Sequence, residues 1–394
     1  MNKKTIRDID IFGKKVLCRV DFNVPMSDGK ITDDNRIVEA LPTIKYIIEN
    51  GGAAILMSHL GRPDGKVVEK YSLKAVAARL GELLGKEVVM ADDVVGKDAN
   101  AKAAALQSGD VMLIENLRFE AGEEENDKKF VDALAKLGDV YVNDAFGTAH
   151  RKHASTYGLA KVLPNAIGFL IEKELKMICD TMENPKRPLV GILGGAKVAD
   201  KLPIIDKLID VCDTLIIGGG MAYTFLKAQG YTIGESLVDD SKLEDTKAMV
   251  AKAQEKGMEL LIPVDFVVSK AIDDVANKMY TKDQNIPEGY MGVDIGKKTT
   301  KMFKKAIKSA KTVIWNGPLG VFEQEAFAVG TYKIAKAVTK VKGTTIIGGG
   351  DSGSAIINMG LAHKITHIST GGGASLKLFE GKVLPGVDVI ENVD

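Results

Sequence analysis

The sequence holds few cysteines, no excess charge of either sign and no long apolar run. Its three cysteines, Cys18, Cys179 and Cys212, are scattered through apolar settings without metal-ligand spacing. An odd, unspaced set argues against a disulfide scaffold and predicts reduced core thiols in a cytosolic protein. Lysine plus arginine and aspartate plus glutamate stand at 53 each, so the formal charge is zero. That balance argues against general nucleic-acid or membrane-surface binding and leaves room for a local basic cleft. No stretch reaches the length of a membrane span. The segment Met1 to Gly13 is charged and lacks an apolar centre, so no secretory signal is expected. Low-complexity segments and short-period repeats are absent too. What is present is 394 residues, 45% of them hydrophobic, which suits two globular domains with a large core.

Short apolar runs alternate with helical stretches along nearly the whole chain. Lys15–Val20, Ala53–Met57, Val111–Ile114 and Val140–Val142 read as strands. Asp33–Asn50, Ser72–Leu84 and Asp127–Leu137 read as helices, with Ser72 as an N-cap and Gly85 as a stop. One long amphipathic helix, Phe169–Met182, ends at Glu183-Asn184-Pro185 and marks a domain junction, either as a plain connection or as a hinge. A second alternation follows, with strands at Leu189–Leu193, Thr214–Ile217, Leu260–Ile262, Val313–Trp315, Thr345–Ile347 and Ile365–Ile368. Its helices include Lys242–Gly257, Lys297–Ala310 and Ala326–Lys340. The alternation predicts α/β domains, each a parallel sheet with helices on both faces. Ligands of such sheets bind beyond the carboxyl ends of the strands.

The two halves carry different chemistry there. In the first, cations follow the strands: Arg19 before Asp21-Phe22-Asn23, Arg36 opening the first helix, His59 and Arg62, then Arg118, then His150-Arg151-Lys152-His153. All eight arginines lie at or before Arg187. A guanidinium fork suits carboxylate and phosphate, so this half reads as a site for a small polyanion rather than as scattered surface pairs. In the second half the strand ends carry glycines: Gly194-Gly195-Ala196-Lys197, Gly218–Gly220, Gly348–Gly350 and Gly371–Gly373. Any one turn can be a tight connection; four together suit backbone contact with phosphates and a flat ring. Lys197 and Lys201 are four apart, so a helix would place both on one face toward a triphosphate, or simply in solvent. Asp351 follows Gly350 where a helix begins near Ser352, placed to cap it or to ligate a hard cation.

Gly348-x-Gly350-x-x-Gly353 satisfies the dinucleotide fingerprint. An NAD(P)-dependent dehydrogenase would need an acid at the next strand end, and His367-Ile368-Ser369-Thr370-Gly371 has none. The Walker spacing G-x-x-x-x-G-K-[ST] is absent, so a P-loop is excluded. Glu323 either accepts hydrogen bonds from a ribose or opens a helix.

Nine motifs, in order, resemble phosphoglycerate kinase: Arg19–Pro25 (RVDFNVP), Ser58–Pro63 (SHLGRP), Glu115–Phe119 (ENLRF), Asn143–Phe146 (NDAF), His150–Thr156 (HRKHAST), Gly194–Lys201 (GGAKVADK), Trp315–Gly320 (WNGPLG), Gly348–Ser352 (GGGDS) and Gly371–Ser375 (GGGAS). The length resembles a bacterial-type member. The resemblance implies two doubly wound, Rossmann-like domains joined by a hinge helix: 1–168 for the acid, 169–187 as hinge and linker, 188–375 for the nucleotide, and 376–394 returning to the first domain. It implies that Asp21, Phe22, Asn23, Arg36, His59, Leu60, Gly61, Arg62, Arg118 and Arg151 bind 3-phosphoglycerate or 1,3-bisphosphoglycerate. It implies that Gly195, Lys201, Gly219, Gly292, Asn316, Glu323, Gly349, Gly350, Asp351, Ser352 and Gly353 bind ATP or ADP, with Mg²⁺ on Asp351. Arg36, Lys197, Gly350 and Gly373 would be catalytic. In-line transfer would follow domain closure in a cytoplasmic monomer. One departure from the family pattern is Lys377, where an acid is expected. A non-catalytic sensor of the same ligands is the rival on the same fold; the intact set Arg36, Lys197, Lys201 and Asp351 argues against it.

Overall fold

A computed structural model describes residues 2–393. The chain divides into two compact units, Met1–Lys176 with Val383–Asp394, and Met177–Lys382.

The first unit is built on six parallel strands: β1 (Lys15–Arg19), β2 (Ala53–Met57), β3 (Val89–Met90), β4 (Val111–Leu113), β5 (Val140–Asn143) and β6 (Asn165–Ile167), in the order β3-β4-β2-β1-β5-β6. β2, β4 and β5 are buried along their whole length, and β1 from Val16 onward, as a sheet covered on both faces requires. Helix α1 (Asn35–Glu49) turns Ile37, Ala40, Ile44 and Ile47 inward at helical spacing, onto the core formed with Val16, Cys18, Leu56 and Val142. Two short strands, β3 and β6, have no counterpart in the sequence reading; two or three residues are too few for a period to show. Residues 383–393 pack with this unit: Lys3 bridges Asn392, and Asn143 Nδ2 donates to the Gly386 carbonyl at 2.8 Å.

The second unit has a parallel sheet of β7 (Leu189–Leu193), β8 (Thr214–Ile217), β9 (Glu259–Leu261), β10 (Thr312–Asn316), β11 (Thr344–Gly348) and β12 (His367–Ile368), in the order β9-β8-β7-β10-β11-β12. A small antiparallel sheet, Met279–Tyr280, Phe266–Ser269 and Met291–Ile295, stands beside it and was not foreseen from the sequence. Trp315, Ile347, Phe303 and Ile334 lie in the core packed against the parallel sheet. The border between the units falls inside helix α2 (Phe169–Glu183). Residues 376–382 stay with the second unit, because helix Gly373–Phe379 buries Ala374, Ser375 and Phe379 there.

Candidate ligand sites at the strand ends

In both sheets the strand order reverses beside the first strand, between β1 and β5 and between β7 and β10. Loops diverge at such a point and leave a crevice at the carboxyl ends.

In the first unit that crevice gathers the cations. Arg19, at the end of β1, is buried; its Nε donates to Ser155 Oγ at 2.8 Å and its Nη2 lies 3.3 Å from His59 Nδ1. A guanidinium only donates, so Nδ1 accepts and the imidazole proton sits on Nε2. Burial, with Arg19, Arg118 and Arg151 nearby, holds His59 well below the usual histidine range despite Asp21, so the ring is neutral. His153 is pushed down to about 3 by burial and the same arginines. Positive charge here therefore belongs to arginine. Asp21 is buried and ionised: desolvation opposes its charge, but the Arg36 and Arg19 guanidiniums and the Asn23 N–H outweigh it, and Arg36 Nη1 lies 3.0 Å from its Oδ2. Asn23 Oδ1 accepts from Gly61 N at 2.9 Å, and Arg118 Nη1 donates to the Gly61 carbonyl at 2.9 Å, which ties three strand ends together. Phe22 N donates to Ser58 Oγ at 2.8 Å, and Leu60 N to Asn116 Oδ1 at 3.2 Å. Arg118 keeps a buried Nε without a partner. Arg62 is exposed and Arg151 half-buried.

Three supporting residues escaped sequence reasoning, because burial of a charge leaves no periodic signature. Arg19 entered it only as a strand-end cation. Glu123 is fully buried and accepts from Ser155 N at 3.0 Å and Ser155 Oγ at 2.6 Å, so it anchors the serine that holds Arg19. Asp144 accepts from Leu170 N and Ile171 N at the start of α2, and burial still pushes it up to about 7.

In the second unit the glycines divide by job. Gly194 N donates to the Asn316 carbonyl and Gly195 N to the Pro318 carbonyl, both at 2.9 Å. A Cβ on Gly194 would lie 2.1 Å from the Pro318 oxygen, and one on Gly219, at φ +64°, 2.6 Å from Gly195 N. These glycines let the turns after β7, β8 and β10 stack backbone on backbone. Gly195 and Gly350, by contrast, face open space. A Cβ on Gly292 would strike Tyr223 Oη at 2.1 Å, so that strand edge lies flat against a tyrosine.

Lys197 and Lys201 do not share a helix face. Pro203 fits only the first turn, so helix α3 (Leu202–Val211) begins after Lys201; Lys197 lies ahead of a short 3₁₀ turn, Ala199–Lys201, and is exposed. Lys201 Nζ instead donates to Asn316 Oδ1. Burial lowers Lys201 to about 8. Asn316 Nδ2 is buried with no partner and would sit 2.8 Å from a Cβ on Gly349, which has φ +91°. An unpaired amide donor, a half-desolvated ammonium and an open glycine turn are what a phosphate oxygen would satisfy. The next helix, α4 (Gly350–Asn358), starts two residues earlier than expected, so Gly349 takes the N-cap position and Asp351 lies inside the first turn. Ser352 is buried, accepting from Gly317 N at 3.0 Å and donating to the Gly348 carbonyl at 2.8 Å, while Gly353 is buried behind it. Glu323 and Gly373 are exposed. Lys377 pairs with Glu380 at 3.0 Å.

Comparison with known proteins bears on the family of the whole chain. The family model for phosphoglycerate kinase matches residues 6–382. A phosphoglycerate kinase of Clostridium botulinum is 56% identical over 394 residues, 99% of either chain, and one of Clostridium tetani is 55% identical over 99% of this chain and 98% of its own. The solved phosphoglycerate kinase of Coxiella burnetii superposes with a TM-score of 0.87 at 40% identity, and that of Pyrococcus horikoshii OT3 with 0.83 at 35%, each covering 98% of both chains. Among the described residues no helix is long and apolar enough to cross a membrane. The chain belongs to the phosphoglycerate kinase family.

Proposed function

We propose that the protein moves a phosphoryl group reversibly between ATP and the carboxylate of 3-phosphoglycerate, giving ADP and 1,3-bisphosphoglycerate. The observation that carries this is the contrast between the crevices: arginines around a neutral histidine in one unit, an orphan amide donor and a lysine beside open glycines in the other. Asp21, Phe22, Asn23, Arg36, the His59–Arg62 segment, Arg118 and Arg151 hold the acid. Lys201, Asn316 and Gly349 to Gly353 hold the nucleotide phosphates, Glu323 the ribose, and Gly195, Gly219 and Gly292 the base.

A carboxylate nucleophile is already ionised, so no general base is required. The low proton affinities of His59 and His153 agree with that. One acyl-phosphate O–P bond forms as the bond to the ADP oxygen breaks, and no proton moves. The obstacle is repulsion. Two unit charges 4 Å apart cost ~1 kcal/mol in water and ~4 kcal/mol at an effective dielectric of 20. Arg36, Lys197 and the backbone N–H groups of Gly350 and Gly373 offset it as charge shifts with the phosphoryl group. Asp351 is exposed in the first turn of α4, past the N-cap position, which suits Mg²⁺, usually held by one or two carboxylates plus substrate phosphates. Bound there, the ion would neutralise phosphate charge. Because the ligand sets lie on separate units, both must be bound for turnover, and the protein works as a monomer. A coupled assay of ATP-dependent phosphorylation of 3-phosphoglycerate, with and without Mg²⁺, tests the reading; binding of both ligands without turnover would favour a sensor.

A further inference from the structure

The net charge of zero conceals a one-sided distribution. Residues 295–322 and 326–350 hold eleven lysines and no aspartate or glutamate. Two helices of the second unit carry most of them, Lys297–Ser309 and Val329–Val338, and these pack against each other through Phe303, Ile307, Ile334 and Val338. Between them runs a groove of ≈ 460 Å³ lined by Lys304, Lys308, Lys333, Lys336, Lys340 and Ala337. All five lysines are exposed. Lysines elsewhere in this unit find acids, as Lys252 does on Asp206 and Lys382 on Glu380. Among the described residues no side-chain hydrogen bond or salt bridge holds any of the five, although Lys333 interacts at longer range with the buried Asp294. Their spacing follows from the helices: Lys304 and Lys308 are one turn apart, Lys333 and Lys336 lie three apart on the facing helix, and Lys340 follows in the turn just past its end. Steps of roughly 5–6 Å on two rows some 8–10 Å apart make a double track of point charges.

We propose that this groove is a binding site for a linear inorganic polyphosphate chain, separate from the strand-end crevices. The choice of ligand rests on what lines it. Five ammonium groups in a groove that no acid lines suit a dense, extended polyanion. The groove has no arginine, whose planar fork would favour carboxylates of an acidic peptide; lysine meets phosphate as a point charge. It has no aromatic side chain on which the bases of a single-stranded nucleic acid would stack. A phosphate chain without bases needs only the charges.

Binding of medium-chain polyphosphate to the full-length protein, held with saturating MgADP to fill the nucleotide crevice, is measured by calorimetry across a salt series. Log affinity should fall against log salt with a slope of roughly −3 to −4, about 0.7 per lysine engaged. Replacing Lys304, Lys308, Lys336 and Lys340 together by Gln should weaken binding at least ~10-fold and remove most of that slope. A charge-matched control replaces Lys301, Lys305, Lys311 and Lys342, which are exposed outside the groove, by Gln and should change affinity less than ~3-fold. Turnover should survive in both variants, showing that they fold. Equal losses in the two variants, or undiminished binding in the groove variant, overturns the site. Tighter binding of single-stranded DNA or of an acidic peptide at the same lysines overturns the ligand.

Discussion

Lys201 offers a test in which the sign and size of the effect are both fixed by the structure. Burial lowers its ammonium to about 8 in the free protein. Its Nζ faces Asn316, beside the Gly348–Gly350 turn, so a nucleotide phosphate there would favour the charged form and restore the ordinary value near ~10.4. Binding thus selects the protonated lysine. Nucleotide affinity is full below the free-protein value and falls as pH rises through it, approaching tenfold per unit. Between about pH 7.5 and 9, where the phosphates of ADP are already ionised, the dissociation constant of MgADP should rise roughly eightfold. At pH near 8, about half a proton should be taken up per nucleotide bound, seen by titration calorimetry in buffers of different ionisation enthalpy. Lys201→Gln should bind more weakly at the lower pH and lose the slope; Lys201→Arg, which does not titrate in this range, should lose the slope alone. A flat profile in the unaltered protein, or the same slope in Lys201→Gln, would refute the placement of phosphate at this lysine.

Steady-state kinetics should separate the arginines: Arg36→Ala and Lys197→Ala should lower kcat by ~10²-fold or more, whereas Arg62→Ala and Arg118→Ala should chiefly raise KM for the acid. Near-native turnover in the first pair would reject their assignment. Gly194→Ala drives a Cβ to 2.1 Å from a backbone oxygen that cannot swing away, so thermal unfolding should show a loss of ~2 kcal/mol or more; an unchanged Tm would mean that the stacked turns are not rigid. Asp144 and Asp294 are each raised to about 7 by burial, so the stability they contribute is full below pH ~4 and is lost as pH rises through 7. Asp294→Asn should therefore lessen the fall in Tm between pH 5 and 8, whatever its own stability, and an undiminished fall would contradict the assignment.

The alternation of strand and helix was legible because fully buried parallel strands read as apolar runs between turn signals. β1, β2, β7 and β8 fall within a residue of their sequence positions. The strands that escaped are short, as at Val89–Met90, or belong to the antiparallel sheet, where Met279–Tyr280 is exposed and carries no apolar period. Glycine positions were legible, but their division of labour was not. That Gly194 and Gly219 hold backbone against backbone while Gly350 stands open depends on loops distant in sequence. The pairing of Lys197 with Lys201 failed because helical spacing was assumed where Pro203 starts the helix late. Support for the first crevice through Glu123, Ser155 and Arg19 was invisible for a related reason: a buried charge is recognised by its partners, and those lie 32 and 136 residues away.

The proposed function requires the acid and the nucleotide to occupy different units, each at its own strand ends. Amide hydrogen exchange with one ligand at a time tests it directly. Added alone, 3-phosphoglycerate should protect residues 20–25, 58–63 and 150–156 and leave 194–201 and 348–353 unchanged. MgADP alone should do the reverse. Protection of the same unit by both ligands, or of neither set of strand ends, would contradict the account.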